Sequence, residues 1–139
     1  MQNTDILLPN FAMFILTALV FGFNLIVRMQ AARSKQIPIA HFKVFQGGSP
    51  TDVMMQAKNN IANLFETPIF FYLITLTYFV TDTVTPTAII LAWVYVACRV
   101  AHSAIHLTSN FVPFRFACFL ASIACLSILW LKWVLVIWA

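Results

Sequence analysis

Four long apolar stretches dominate this sequence of 139 residues. The first runs from Ile6 to Val27, the second from Ile61 to Val80, and two more flank the polar segment Arg99–Arg115. A helix of about 20 apolar residues rises about 30 Å, which matches the hydrocarbon core of a bilayer. Only 9% of the residues are charged and 62% are hydrophobic, whereas about a quarter are charged in soluble domains. The sequence therefore predicts an all-α integral membrane protein, a bundle of four transmembrane helices.

Capping residues and prolines mark the helix ends. We expect one domain over residues 1–139, with helices at about 6–32, 50–80, 85–110 and 113–138. Ser49 suits an N-cap, and Pro50 suits the first helical position after it. Pro68 is expected to kink the second helix, because proline removes a backbone hydrogen bond and crowds the preceding turn.

Basic residues are concentrated near two of the three connections. Those in or near the first connection are Arg28, Arg33, Lys35, Lys43 and Lys58. Arg99 and Arg115 flank the third connection, whereas the N-terminus and the second connection contain no Lys or Arg. By the positive-inside rule, the first and third connections are expected to be cytoplasmic and both termini to lie outside. The cations form no basic run or RNA-binding motif, so we expect no nucleic-acid partner.

The first apolar segment is expected to stay in the protein. A secretory signal peptide has basic residues before its apolar core, but here Asp5 precedes the core and the cations follow it. The short chain and the lack of a targeting segment suit a bacterial inner membrane.

A polar stripe runs along the second helix. Its members are Gln56, Asn59, Asn63 and Glu66, at offsets of three, seven and ten residues. This spacing places them on one helical face, and Asn60 lies off that face. The stripe could bind a zwitterionic ligand, with Glu66 on an ammonium group and the amides on carbonyl or carboxylate oxygens. Alternatively, it forms a structural network in which Glu66 pairs with Arg99 or Arg115.

The third helix carries a second polar face, formed by Arg99, His102 and His106 with Ser103 beside them. Two histidines four residues apart can bind zinc, but a third ligand is missing and no HExxH pattern occurs. The three cysteines lie in apolar segments without ligand spacing. We therefore predict no metal, and expect the histidines to form hydrogen bonds in a polar pocket.

Arg115 is the strongest candidate for an anion-binding residue. If Pro113 opens the fourth helix, Arg115 lies in its first turn, where backbone N–H groups lack helical partners. A guanidinium beside such a helix end attracts anions. The alternative is an interfacial arginine that contacts lipid phosphate.

Two motifs resemble the MAPEG family, the membrane-associated proteins of eicosanoid and glutathione metabolism. The short chain suggests a bacterial-type member of it. The segment Asn63–Pro68 is similar to the family's second-helix motif, in which an Asn and a Glu three residues apart contact glutathione. The segment Arg99–Arg115 is similar to its third-to-fourth-helix motif. In catalytic members, the arginine at the position of Arg115 lies beside the glutathione sulfur.

The resemblance implies a homotrimer that binds glutathione between adjacent subunits near the cytoplasmic face. It implies a glutathione-dependent transferase or peroxidase that acts on lipophilic substrates dissolved in the membrane lipid. Arg115 would be catalytic and would stabilise the glutathione thiolate. The residues expected to bind the cosubstrate glutathione are Asn59, Asn63, Glu66, Arg99, His102, His106 and Arg33.

Two positions depart from the catalytic pattern of the family. Asn59 stands where catalytic members generally carry an arginine, and His106 stands where a tyrosine is common. Lys58 or Arg33 could replace the missing cation. The departures favour an alternative function as a non-catalytic lipid-binding or scaffold protein, like the family's lipoxygenase-activating branch. A small channel or transporter would need polar residues along a whole helix, whereas here they lie at one end.

Overall fold

A computed structural model describes residues 2–37 and 50–138, and all regular structure in them is helical. The elements are a 3₁₀ helix, Asn3–Leu7, followed by α1 (Leu8–Arg33), α2 (Asp52–Glu66), α3 (Pro68–Val80), α4 (Pro86–Leu107) and α5 (Val112–Ile137). Four stretches are long and apolar enough to cross a membrane, with α2 and α3 together forming the second. The prediction of an all-α, multi-pass membrane protein with four spans is therefore confirmed.

The second span begins at a threonine cap. The Thr51 hydroxyl accepts a hydrogen bond from the backbone N–H of Met54 over 3.3 Å, and α2 starts at Asp52. The expectation that Pro50 occupies the first helical position is wrong, because the hydroxyl that caps the helix belongs to the residue after it. The predicted cap Ser49 lies outside the described residues.

The second span is interrupted at Thr67, where Pro68 predicted a kink. α2 ends at Glu66 and α3 begins at Pro68. Because Pro68 has no N–H, the carbonyl of Leu64 loses its helical partner. The Phe70 N–H donates to the carbonyl of Thr67 over 3.1 Å and starts the next helix. The break gives α2 a carboxyl end inside the span, where its last carbonyl groups need other partners.

Buried apolar side chains from all four spans pack into a common core, and a smaller cluster joins the end of α1 to the start of α2. The common core includes Met13, Val20, Phe71, Ile74, Tyr95 and Leu129. The rings of Phe71 and Tyr95 stack with centroids 4.2 Å apart and planes 9° apart, which fixes α3 against α4. Large apolar side chains also cover the outside, Phe11 and Phe14 of α1 among them. Such a surface suits a lipid environment.

At the end of the bundle near the last turn of α3, hydrogen bonds between uncharged groups connect the second span to α5. The Tyr78 hydroxyl donates to the backbone carbonyl of Leu129 over 3.0 Å, and the Trp133 indole N–H donates to the Thr81 hydroxyl over 3.2 Å. The most extensive helix contact in the described residues joins α4 to α5. The arginines and histidines that flank the α4–α5 connection lie toward the opposite end of these helices.

The α4–α5 connection turns at Asn110. α4 ends at Leu107, three residues before the predicted boundary at 110. Asn110 has a φ of 49°, and its N–H donates to the carbonyl of Ile105 over 2.7 Å. Asparagine tolerates this left-handed conformation better than most residues. The turn reverses the chain and brings the first turn of α5 beside the last two turns of α4.

Candidate functional site

A cavity of about 250 Å³ lies where α2, α4 and α5 meet. It is lined by Asn63, His102, His106, Val112, Arg115, Phe116 and Phe119. One wall is therefore polar, and the other consists of apolar side chains from α5. The cavity brings together four of the predicted site residues, namely Asn63, His102, His106 and Arg115.

Arg115 lies in the first turn of α5, as the sequence predicts. Its Nη1 donates to the side-chain oxygen of Asn110 over 2.5 Å and lies 3.3 Å from Nε2 of His106. Because a guanidinium only donates, His106 Nε2 is the acceptor, and the neutral ring carries its hydrogen on Nδ1. Both partners are uncharged. The side chain therefore adds a full positive charge to a helix end that already carries a partial one.

His102 ties α4 to the same turn. Its Nδ1 lies 2.9 Å from the backbone carbonyl oxygen of Arg115. A carbonyl can only accept, so Nδ1 is the donor and Nε2 of the neutral ring keeps its lone pair. This hydrogen bond fixes the backbone of Arg115 relative to α4.

Arg99 lies behind the polar wall, fully buried. Its Nη2 donates to the backbone oxygen of Asn63 over 2.9 Å and to the side-chain oxygen of Asn63 over 2.6 Å. The Asn63 carbonyl is one of the last four in α2, where the helix dipole favours a cation. The guanidinium carbon is also 5.9 Å from the centroid of the Phe119 ring. Arg99 therefore finds its partners at a helix end and on an aromatic face.

Several buried polar atoms near the cavity have no protein partner among the described residues. They are Nε and Nη1 of Arg99, Nε2 of His102 and Nδ1 of His106. More than nine in ten buried backbone polar groups, and the large majority of buried side-chain polar atoms, are hydrogen-bonded in native structures. A cluster of exceptions therefore marks a place where water or a ligand supplies the missing contacts.

The polar stripe predicted on α2 is only partly brought to the cavity. Asn63 lines it, whereas Gln56 is half-buried and both Asn59 and Glu66 are exposed. The alternative of a Glu66 ion pair with an arginine does not occur within this chain's described residues, because the arginines bond to uncharged groups. Arg33 is exposed at the end of α1 and does not line the cavity.

Sequence reasoning missed Asn60 and Asn110. Asn60 is fully buried, and its side-chain oxygen accepts from the Ser103 hydroxyl over 3.1 Å. The buried face of α2 consists of Met54, Ala57, Asn60 and Leu64. The three- and four-residue spacing of these side chains was the signal that could have placed Asn60 inside. Asn110 could have been found from the preference of asparagine for a left-handed turn.

In the described ranges, 2–37 and 50–138, no three His, Cys, Asp or Glu side chains are placed to hold a metal ion. Cys98, Cys118 and Cys125 are free thiols. The chemistry that the cavity offers is therefore that of arginine, imidazole and amide groups.

The comparisons with known proteins give one result. The MAPEG family model matches residues 7–135, a stretch that includes α1 to α4, α5 as far as residue 135, and every residue of the cavity. The comparison with curated proteins found no match, and neither did the comparison with solved structures. Because the matched stretch covers nearly all of the sequence, the chain belongs to the MAPEG family.

Proposed function

We propose that this protein is a glutathione-dependent transferase or peroxidase that acts on lipophilic electrophiles, with Arg115 stabilising the glutathione thiolate. One observation carries the proposal. Arg115 lines a cavity at the amino end of α5, and among the described residues its guanidinium is bonded only to the neutral groups of Asn110 and His106. A cation at such a helix end favours an anion beside it. Membership of the MAPEG family supports glutathione as the cosubstrate.

The chemistry follows from the thiol. A cysteine thiol is only a few per cent thiolate at neutral pH, and the thiolate is the nucleophile. Each unit by which Arg115 lowers the thiol pKa corresponds to about 1.4 kcal/mol of thiolate stabilisation. With an aryl halide, the sulfur forms a C–S bond and the halide leaves with the bonding electrons. With a hydroperoxide, the sulfur takes the distal oxygen, and the alkoxide takes a proton. A second glutathione then gives the disulfide and water.

The apolar wall supports a lipophilic second substrate. Val112 and Phe116 line the cavity and are also more than half exposed on the outside of α5. A substrate dissolved in the bilayer can therefore approach along this helix while glutathione occupies the polar wall. The separation of a polar and an apolar wall is what a reaction between a water-soluble thiol and a lipid-soluble electrophile requires.

We further propose that the protein is a bacterial-type member that acts as a homotrimer in an inner membrane, with both termini outside the cytoplasm. Glu66 and Asn59 are exposed on the second span. An ionised carboxylate facing lipid is costly, and contact with a neighbouring subunit would remove that cost. The same contact would bring Glu66, Asn59 and a neighbour's Arg33 to glutathione. The cluster of cations at the first connection supports the orientation.

Turnover by the purified protein tests the proposed activity. The protein in detergent or lipid nanodiscs is incubated with glutathione and either an activated aryl halide or a lipid hydroperoxide. Arg115→Ala should lower the rate about 100-fold, as the loss of an oxyanion donor does in other enzymes. Lys132→Ala removes a cation from the far end of the same helix and should leave the rate unchanged. A wild-type rate no higher than that of Arg115→Ala contradicts the proposal.

A second candidate function is that of a non-catalytic lipid-binding or scaffold protein. The exposed, uncharged Asn59 favours it, because catalytic members generally carry an arginine there. Thermal denaturation with increasing glutathione separates the two functions. A ligand that binds only the folded state adds about 2.7 kcal/mol of stability at 100 times its Kd, whereas a scaffold without a glutathione site shows no saturable shift.

A further inference from the structure

We infer that Arg99 is a positioning residue, which holds the Asn63 carboxamide with its amino group toward the cavity. Arg99 thereby makes this wall select a ligand that presents carboxylate or carbonyl oxygens. The inference deepens the proposed function, on which its choice of ligand rests, and it concerns a residue that does not itself line the cavity.

A single nitrogen of Arg99 donates two hydrogen bonds to Asn63. Nη2 of Arg99 reaches both the backbone oxygen of Asn63, at 2.9 Å, and its side-chain oxygen, at 2.6 Å. A carboxamide has an oxygen at one end and an amino group at the other. Rotating the Asn63 carboxamide by half a turn would set two N–H donors against each other. Arg99 therefore keeps the oxygen inward, and the amino group is the part of Asn63 turned to the cavity.

Arg99 is itself held in place. It is completely buried, and its guanidinium carbon is 5.9 Å from the centre of the Phe119 ring. The Asn63 carbonyl that it meets lies in the last turn of α2, which ends because Pro68 cannot continue the hydrogen-bond ladder. A guanidinium at the carboxyl end of a helix is in a favourable field. The break in the second span thus creates the position from which Arg99 acts.

The result is a polar wall that offers mainly donors. The side-chain oxygen of Asn63 is taken by Arg99, and the side-chain oxygen of Asn110 and Nε2 of His106 are taken by Arg115. The acceptor left over, Nε2 of His102, is buried. A ligand at this wall therefore meets N–H groups of Arg115 and Asn63, and it must supply acceptor oxygens or a thiolate.

Two substitutions at Asn63 separate positioning from mere packing. Asn63→Asp keeps an oxygen against Arg99 but turns a second oxygen, instead of an amino group, toward the cavity. Asn63→Leu removes both side-chain groups. The probe is S-methylglutathione, which cannot react, and its Kd and the midpoint of thermal unfolding are both measured.

We expect Asn63→Asp to weaken binding of S-methylglutathione at least about tenfold, as the loss of a hydrogen bond to a charged group does. Its unfolding midpoint without ligand should not fall, whereas that of Asn63→Leu should. Arg99→Lys keeps the charge but not the double contact, and should weaken binding by a similar factor. Wild-type affinity in both Asn63→Asp and Arg99→Lys would overturn the inference.

A measurement without ligand separates this inference from the proposed function. In the ¹⁵N-labelled protein, the side-chain amino signal of Asn63 is identified by its loss in Asn63→Asp. Its protons should show nuclear Overhauser effects to the ring of Phe116, which lines the cavity, and Arg99→Lys should weaken them. Effects to the Arg99 guanidinium instead would overturn the inference even if glutathione binds. The expected pattern without any binding of S-methylglutathione would contradict only the proposed function.

Discussion

Arg99 lies at the carboxyl end of α2, whereas Arg115 lies at the amino end of α5. The helix dipole has opposite signs at these two places. The charge of Arg99 is offset by a helix end that carries partial negative charge, and its Nη2 is bonded to both oxygens of Asn63. The charge of Arg115 adds to partial positive charge. Of two arginines close to one cavity, Arg115 is therefore the one that attracts an external anion.

Arg115→Gln should lower activity strongly without a comparable loss of stability. The substitution removes a cation from a helix amino end, where it costs about 0.3 to 1 kcal/mol, and this offsets the lost contacts with Asn110 and His106. We expect the rate with glutathione and an aryl halide to fall about 100-fold. The free energy of unfolding should change by less than about 1 kcal/mol. A large loss of stability in chemical denaturation would mean that Arg115 is mainly structural.

The four spans and the break at Pro68 could be predicted from the sequence, because hydropathy and proline chemistry are local properties. The rotation of α2 about its axis was harder to predict, because two patterns in it point to different inward faces. One is the polar stripe, and the other is the three- and four-residue spacing of the side chains that are buried. Asn59 and Asn60 are adjacent in the sequence, and the structure buries Asn60 and exposes Asn59. A one-residue difference in helical phase decided which amide is inside.

The sequence could predict which residues form the site, but it could not predict the contacts between them. The spacing of His102 and His106 placed them on one face, and the cavity contains both. The double contact between Arg99 and Asn63 depends on how α2 packs against α4. That packing follows from the whole core, so neither residue's neighbours in the sequence reveal it.

Arg99→Met should destabilise the protein. The substitution removes the donor that satisfies both oxygens of Asn63, and leaves those acceptors buried beside an apolar side chain. Leaving a buried acceptor without its donor costs about 1–3 kcal/mol. Arg99→Lys should cost less, because the charge at the carboxyl end of α2 is kept. The measurement is the free energy of unfolding in a mixed-micelle denaturation, and equal stability of Arg99→Met and wild type would contradict the prediction.

Pro68→Ala should lower ligand affinity while the protein stays folded. Alanine restores the N–H that the carbonyl of Leu64 lacks, and so favours a continuous second helix. A continuous helix would straighten the second span at Thr67, turn the end of α2 relative to α4, and so move the Asn63 oxygens away from Arg99. We expect the affinity for glutathione, measured by calorimetry, to fall about tenfold, which corresponds to about 1.4 kcal/mol.

The matched control for that substitution is Pro86→Ala. Pro86 is the first residue of α4, where a proline removes no helical hydrogen bond. Its replacement should leave affinity unchanged. If both variants bind glutathione like wild type, the break at Thr67 has no role in the site.

The backbone conformation of Asn110 should affect stability, whereas its side-chain oxygen should affect activity. Its φ of 49° is left-handed, and its side-chain oxygen accepts from Arg115. Glycine adopts this φ without strain but has no oxygen, whereas alanine lacks the oxygen and is strained by about 1 kcal/mol. Asn110→Ala should therefore be less stable than Asn110→Gly by about that amount. Both variants should lose activity to a similar extent, because Arg115 loses the same partner. If activity instead follows stability across the two variants, the Asn110 side chain does not orient Arg115.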